Sequence, residues 1–180
     1  MLKKIYSTNW LFIFLVTILA FIGFIALYSA SDSNFDLWTK KQMIRYGFSI
    51  LLLFFISFLD IRFLYRNAYI IFILTLLLLL SVEFFGIFGG GSTRWIRIFN
   101  FSIQPSELVK VSLILFLARY YHDLRYDRIY YIRKLIIPLA GILFPFILIM
   151  MQPDLGTALI LFLLGIIVMF LAGVRIWKFV

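Results

Sequence analysis

The sequence predicts an all-α, polytopic membrane protein, and three observations lead to this fold class. Of its 180 residues, 64% are hydrophobic and only 14% are charged, whereas soluble domains are roughly half apolar and a quarter charged. The apolar residues form six long runs, and the basic residues lie mostly between these runs. A water-soluble chain of this size could not bury so much apolar surface, so the lipid bilayer is the solvent that suits it.

The six runs predict a bundle of six transmembrane helices in a single integral membrane domain over residues 1–180. A spanning helix needs about 20 mostly apolar residues, and runs this long and continuous favour helices over strands. Lys3 and Lys4 resemble the start of a signal peptide. The first run is longer than a signal h-region of about 7–15 residues, so we expect a retained helix. The spans are expected at residues 10–30, 43–59, 68–88, 105–121, 135–151 and 155–173.

The distribution of basic residues predicts the orientation, because cytoplasmic loops carry an excess of lysine and arginine. With both termini in the cytoplasm, Gly91 and Asp154 face outward, and we expect Arg119 and Asp123 to be solvated charges of an inner loop. Eleven basic residues then lie inside, namely Lys3, Lys4, Arg62, Arg66, Arg119, Arg125, Arg128, Arg133, Lys134, Arg175 and Lys178. Five lie outside, namely Lys40, Lys41, Arg45, Arg94 and Arg97.

The composition excludes several classes of function. The chain has no cysteine, which excludes disulfides, cysteine-based zinc sites and thiol catalysis. His122 is its single histidine, so a multi-histidine metal site is excluded as well. A net charge of +9 would suggest nucleic acid in a soluble protein. Here the basic residues orient the helices, so we expect no nucleic-acid partner.

The stretch after the third run has the most unusual composition of the chain. Gly89, Gly90 and Gly91 end a helix and permit a sharp turn. Residues 96–103 are apolar but broken by polar residues, which predicts a bent extended segment in the outer interface. Trp95 suits an interfacial anchor. Arg94 and Arg97 could bind a lipid phosphate, since guanidinium groups match phosphate geometry; simple contact with headgroups is the alternative.

Two Gln-Pro blocks each open an apolar run on the outer side. In the first, Gln104 precedes Glu107 and Lys110, which share a helix face at a spacing of three residues. Charges in a membrane helix normally face the bundle interior or a wet cavity, either as a structural pair or around a substrate. In the second block, Asp154 follows Gln152 and Pro153 and could be a base, a cation ligand or a helix N-cap.

Three blocks resemble the signatures of the SEDS family (RodA/FtsW type), and the chain resembles RodA more than FtsW. They are Gly-Gly-Ser-Thr-Arg-Trp at 90–95, Gln-Pro-Ser-Glu-Leu-Val-Lys at 104–110 and Gln-Pro-Asp-Leu-Gly-Thr-Ala at 152–158. The resemblance covers the whole chain and implies the N-terminal part of a fold with about ten spans. The chain is therefore expected to be shorter than the family's members, as a truncated sequence, as one part of a split gene or as an inactive product. The family's catalytic carboxylate is expected beyond Val180, and no catalytic residue is therefore predicted here.

The resemblance also implies a function. SEDS proteins polymerise lipid II into peptidoglycan at the outer face of the bacterial cytoplasmic membrane, with a class B penicillin-binding protein as partner, in elongation or division. Undecaprenyl pyrophosphate leaves in this reaction. The alternatives are a lipid-precursor flippase or transporter and a non-catalytic scaffold for a penicillin-binding protein. No cofactor is firmly predicted, although a divalent cation is left open. We expect the substrate-binding residues to be Arg94, Trp95, Arg97, Gln104, Glu107, Lys110 and Asp154.

Overall fold

The computed structural model describes residues 9–31, 34–35, 38–89, 92–98, 101–124 and 132–174. Within these residues the chain forms six α-helices, one at each predicted span, which confirms the helical fold class. They are α1 (Trp10–Ala30), α2 (Thr39–Phe58), α3 (Ile61–Phe85), α4 (Pro105–Asp123), α5 (Ile136–Met151) and α6 (Leu155–Leu171). Gly90, Gly91 and Arg125, and the basic residues near both termini, lie outside the described residues.

Three of the described helices, α1, α2 and α3, are long and apolar enough to cross a membrane. The apolar helices α5 and α6 are shorter, with 16 and 17 residues. Helix α4 carries Glu107 and Lys110 in its first half. The predicted spans thus match the positions of the helices closely. Of the described helices, α1, α2 and α3 have the length and composition of membrane-spanning helices.

The chain divides into two compact units, Met1–Asp60 and Ile61–Val180. In the first unit, α1 and α2 meet through a hydrogen bond between the hydroxyls of Thr17 and Tyr46, 2.7 Å apart. Phe24 packs edge-on against Tyr46 with the ring centres 5.8 Å apart. Phe24 is the buried residue of α1, and the other apolar side chains of this helix remain at least partly exposed, as lipid-facing residues would be.

The second unit packs α3, α4, α5 and α6 around a common apolar core. Leu79, Leu113 and Leu161 are fully buried in it. Helices α5 and α6 approach closely at Gly165, where an added Cβ would lie 2.5 Å from Ile142 Cγ1. Small residues permit such close contacts between membrane helices, so this glycine determines how α5 and α6 pack.

A three-stranded antiparallel sheet lies between α3 and α4. Its strands are β1 (Ile87–Gly89), β2 (Ser92–Ile98) and β3 (Phe101–Ile103), in the order β1-β2-β3. The predicted extended segment at 96–103 is thus confirmed for its described residues, and the strand pairing is an addition. The prediction that the third helix continues to residue 88 was wrong. The helix ends at Phe85, and the backbone at Gly86 suits only glycine, because an added Cβ would lie 2.4 Å from the carbonyl oxygen of Val82.

The prediction that Arg119 is a solvated loop charge was also wrong. Its guanidinium carbon lies 4.6 Å from the ring centre of Tyr69 and 5.2 Å from that of Tyr65. Arg119 Nη1 donates to the carbonyl oxygens of Tyr65, at 2.9 Å, and of Arg66. Asp123 is exposed but accepts a hydrogen bond from the Tyr65 hydroxyl. Arg119 therefore joins α4 to α3 by cation–π and hydrogen-bond contacts.

Candidate functional site

Asp154 forms the N-cap of α6 and is the centre of the candidate site. Its Oδ1 accepts a hydrogen bond from the backbone N–H of Thr157 at 3.3 Å, and its Oδ2 accepts from the Thr157 hydroxyl at 2.9 Å. Aspartate at an N-cap satisfies a backbone donor that has no partner within the helix. Of the three roles left open by the sequence, capping is the one that these bonds support directly.

Two other predicted site residues converge on the same carboxylate. Arg94 Nη1 lies 3.0 Å from Asp154 Oδ2, and Gln104 Nε2 donates to Oδ2 at 3.1 Å. Arg94 belongs to β2, Gln104 directly precedes α4 and Asp154 directly precedes α6. The fold therefore brings the three motif blocks together at one end of the second unit. We call Arg94, Gln104, Asp154 and Thr157 the Asp154 cluster.

The Asp154 cluster is largely shielded from solvent. The side chain of Asp154 is 9% exposed and that of Arg94 is 25% exposed. Burial by itself raises the pKa of Asp154, but the hydrogen bonds from Thr157 and the nearby Arg94 guanidinium outweigh it, so the pKa is lower than usual. The carboxylate is thus ionised near neutral pH, and a general base with a depressed pKa is inefficient. This arrangement suits an anchor and an ion pair better than proton abstraction.

Gln152 anchors the turn that carries Asp154. Its side chain is buried, and its Nε2 lies 3.5 Å from the carbonyl oxygen of Leu79 in α3. This contact fixes the turn between α5 and α6 onto a neighbouring helix. Gln152 and Thr157 lie within the second Gln-Pro block but were not among the predicted site residues, and Thr157 was expected only to permit close helix contact as a small residue. A threonine three residues after a capping aspartate is the signal that could have identified Thr157.

Glu107 and Lys110 form the predicted ion pair, with Lys110 Nζ 2.7 Å from Glu107 Oε1. These charges were expected to face the bundle interior or a wet cavity. The side chain of Lys110 is 16% exposed and that of Glu107 is 56% exposed, so the bundle interior does not fit Glu107 and the wet cavity stays a prediction. Glu107 lies in the first turn of α4, in which Pro105 and Ser106 are buried. The described structure gives no contact between this pair and the Asp154 cluster.

Trp95 and Arg97 lie on β2 beside the Asp154 cluster. Trp95 pairs with Ile87 of β1, and Arg97 pairs with Ser102 of β3. Trp95 is half-buried, whereas Arg97 is exposed. Arg97 lies on the same strand as the shielded Arg94, so β2 carries two cationic groups in different environments.

A divalent cation finds no obvious ligand cluster in the part of the chain that the structure describes. Those residues contain no group of three or more histidine, cysteine, aspartate and glutamate side chains that could hold a metal ion. The two oxygens of Asp154 accept bonds from protein donors instead.

A family model and several curated relatives indicate the same protein family. The family described as "Cell cycle protein" (FtsW/RodA/SpoVE) matches residues 9–180. Stage V sporulation protein E of Bacillus subtilis is 34% identical over 190 residues, which cover 100% of this chain and 52% of that protein. The probable peptidoglycan glycosyltransferase FtsW of Wigglesworthia glossinidia brevipalpis is 34% identical, over 97% of this chain and 48% of its own length.

Solved structures show the same fold. RodA of Thermus thermophilus, a rod-shape-determining protein, superposes with a TM-score of 0.80 at 30% identity, over 93% of this chain and 54% of that one. A chain from a peptidoglycan synthase complex superposes with a TM-score of 0.82 at 30% identity, over 94% of this chain and 49% of that one. The chain spans about half the length of the relatives that it matches. Since both RodA and FtsW occur among them, the greater nearness to RodA stays a prediction.

Proposed function

The chain belongs to the FtsW/RodA/SpoVE family of cell cycle proteins, and from this premise we propose that it takes part in peptidoglycan glycan-strand polymerisation from lipid II. It is a multi-pass bacterial membrane protein with three helices long and apolar enough to cross the bilayer. The observation that carries the proposal is the family match, which includes all three motif blocks. Relatives named peptidoglycan glycosyltransferase support it.

The reaction requires two kinds of group around the substrate. A sugar hydroxyl of lipid II forms a bond to the anomeric carbon of the growing chain, and the bond from that carbon to the pyrophosphate oxygen breaks. The proton passes to a base, and undecaprenyl pyrophosphate leaves with the bonding electrons. A base near the hydroxyl and positive charge on the leaving group are thus the two requirements.

Residues of this chain suit the second requirement. Arg94 and Arg97 lie on the same strand, with Arg94 held 3.0 Å from Asp154 and Arg97 exposed. We assign these arginines to the pyrophosphate and Trp95 to the neighbouring membrane interface. The depressed pKa of Asp154 disfavours it as the base.

The proposal also includes the orientation of the chain in the membrane and a partner protein. The surplus of basic residues on one side supports cytoplasmic termini and an outer position for the Asp154 cluster. A class B penicillin-binding protein is the proposed partner, supported by the structural likeness to a chain of a peptidoglycan synthase complex. A flippase that uses proton-relay acids is less well supported, because the ion-paired Asp154 does not titrate near neutral pH.

Cysteine labelling tests the orientation. We expect Ser92→Cys to react with an impermeant thiol reagent in intact spheroplasts and Arg125→Cys to stay unlabelled, because the basic residues place 125 inside. Permeabilised cells provide the control that both thiols can react. Labelling at 125 but not at 92 in intact cells would reverse the proposed topology.

Lipid binding tests the function. We expect the purified chain in nanodiscs to bind lipid II and undecaprenyl pyrophosphate in native mass spectrometry, and to form no glycan strands on its own. Arg94→Ala and Arg97→Ala should each weaken binding, since each removes charge-assisted hydrogen bonds worth about 1.5–3 kcal/mol. Transport of lipid II across vesicles without polymer formation in cells would favour the flippase. Co-purification with a penicillin-binding protein in the absence of lipid binding would favour the scaffold.

A further inference from the structure

Asp154 Oδ2 connects the strand that carries the exposed arginine to the helix bundle. It accepts from Arg94 of β2 at 3.0 Å and from Gln104, the N-cap of α4, at 3.1 Å, and Arg97 lies on β2 as well. We propose that Asp154 is a positioning residue that fixes Arg94 and β2 for binding a lipid diphosphate through Arg94 and Arg97. This inference rests on the proposed function and gives Asp154 a role other than direct substrate contact.

The strand pairing alone does not determine where the Arg94 side chain points. In the register of β1 and β2, Ile87 pairs with Trp95 and Phe88 pairs with Thr93, so the pairing skips Arg94. An extra residue of this kind bends a strand and redirects its side chain. The strands β1 and β3 have only three residues each, and strands this short give little independent stability. A contact to the helix bundle must therefore supply the orientation.

Asp154 is suited to provide that contact because it is itself fixed. Thr157 donates hydrogen bonds to both carboxylate oxygens of Asp154, and the Asp154 side chain is 9% exposed. Gln152, two residues earlier, is tied to the carbonyl of Leu79 in α3. The carboxylate and Gln104, the N-cap of α4, thus belong to the helix bundle, while Arg94 belongs to the strand that the carboxylate holds. A guanidinium carries five N–H donors, so a single arginine can serve a carboxylate and a phosphate together.

The test separates capping from positioning by the choice of substitution. Serine is a good N-cap but is too short to reach Arg94 and Gln104, so Asp154→Ser should keep α6 intact while releasing Arg94 and strand β2. Undecaprenyl pyrophosphate is titrated against the chain in phosphatidylcholine nanodiscs for wild type, Asp154→Ser, Arg94→Ala and the double variant. Each single variant should raise Kd about tenfold, equivalent to the loss of one charge-assisted bond. The double variant should be no worse than Arg94→Ala, because Asp154 acts through Arg94.

Two further variants and a second measurement sharpen the result. Asp154→Asn keeps the cap and the reach but loses the charge, so its Kd should rise less than that of Asp154→Ser. It replaces the serine variant if the latter folds poorly. Glu83→Gln removes an exposed acid of α3 and should leave Kd unchanged. Hydrogen–deuterium exchange of residues 92–98 should be faster in Asp154→Ser than in wild type, with α6 as protected as before.

The outcomes distinguish this inference from the proposed function. If Arg94→Ala does not change Kd, both the anion role of Arg94 and the positioning role of Asp154 are wrong. If Arg94→Ala weakens binding and Asp154→Ser does not, only the positioning role is wrong. Additive losses in the double variant would show that Asp154 acts independently of Arg94 and would likewise overturn it.

Discussion

The Arg94–Asp154 and Glu107–Lys110 ion pairs differ in what they connect and in how far they are shielded. Arg94 and Asp154 come from distant parts of the chain, and both side chains are at most a quarter exposed. Glu107 and Lys110 lie on one helical turn, and Glu107 is more than half exposed. A local pair with one exposed partner, such as Glu107 beside the shielded Lys110, adds little stability, whereas removing one partner of a pair that is shielded on both sides leaves an uncompensated charge. The comparison predicts a large effect at Arg94 and a small one at Glu107.

Arg94→Ala should have the largest effect on stability. It leaves Asp154 ionised and shielded without its cationic partner, and we expect a loss of about 2–4 kcal/mol in the free energy of unfolding, below the upper range for fully buried pairs. Denaturation by sodium dodecyl sulfate in mixed micelles, followed by circular dichroism, measures this loss. Arg97→Ala, on the same strand but exposed, is the matched control and should change stability by less than about 0.5 kcal/mol. Equal losses of unfolding free energy in Arg94→Ala and Arg97→Ala would show that the Arg94–Asp154 contact does not stabilise the fold.

The pH dependence of stability should reveal the same pair. The pKa of Asp154 is lowered in the folded protein. The ionised carboxylate therefore contributes its full stabilisation of the fold at pH values above the ordinary aspartate pKa of about 3.9. This stabilisation is lost as pH falls through the lower folded value. The difference in Tm between wild type and Asp154→Asn should therefore be constant from pH 7 to pH 5 and shrink in more acidic buffer. A difference that instead shrinks between pH 7 and pH 5 would contradict the lowered pKa.

Thr157→Val should have an intermediate effect. Valine keeps the backbone N–H that bonds to Asp154 Oδ1 but removes the hydroxyl that bonds to Oδ2 at 2.9 Å. We expect a loss of about 1 kcal/mol, typical of one hydrogen bond. Thermal unfolding in detergent measures it, and Thr157→Ser, which retains the hydroxyl, should behave nearly as wild type. A serine variant as unstable as valine would assign the effect to packing of the methyl group.

The coupling between Glu107 and Lys110 should be the smallest of the four effects. A double-mutant cycle with Glu107→Gln and Lys110→Met should give a coupling energy of about 0.3–0.5 kcal/mol, as for other exposed pairs on one helix. Folded yield and unfolding midpoints in detergent are the measurements. A coupling above about 2 kcal/mol would show that the pair behaves as a buried one, and the contrast with Arg94–Asp154 would disappear.

The helices were predictable from the sequence because long apolar runs leave few alternatives in a bilayer. Their ends were less predictable. Helix α3 begins at Ile61 rather than at residue 68, since Arg62 and Arg66 were counted as a loop although long basic side chains can extend from a helix end to the interface. At the other end, Ile87 and Phe88 continue the apolar composition of α3, so only Gly86 marks the change from helix to strand.

The members of the candidate site were predicted individually, but their arrangement was not. Arg94, Gln104 and Asp154 each stood out as a polar residue at the border of an apolar run. The Asp154 carboxylate binds both Arg94 and Gln104 because of how α4 packs against α6 and because of the strand register around Arg94. The spacing of residues along one sequence contains neither kind of information. The exposure of Glu107 was left open for a similar reason, because a helical period gives a shared face but not its direction.

The lengths of α5 and α6 have a consequence for the bilayer around the protein. Sixteen and seventeen residues at about 1.5 Å per residue give helices of roughly 24–26 Å, against a hydrocarbon core of about 30 Å. Membranes adjust to short helices by thinning beside them. Lipid headgroups would then lie closer to the centre of the bilayer next to the turn that carries Asp154 than elsewhere. Under the proposed function, a lipid-linked diphosphate would therefore reach Arg94 with less of its chain leaving the hydrocarbon.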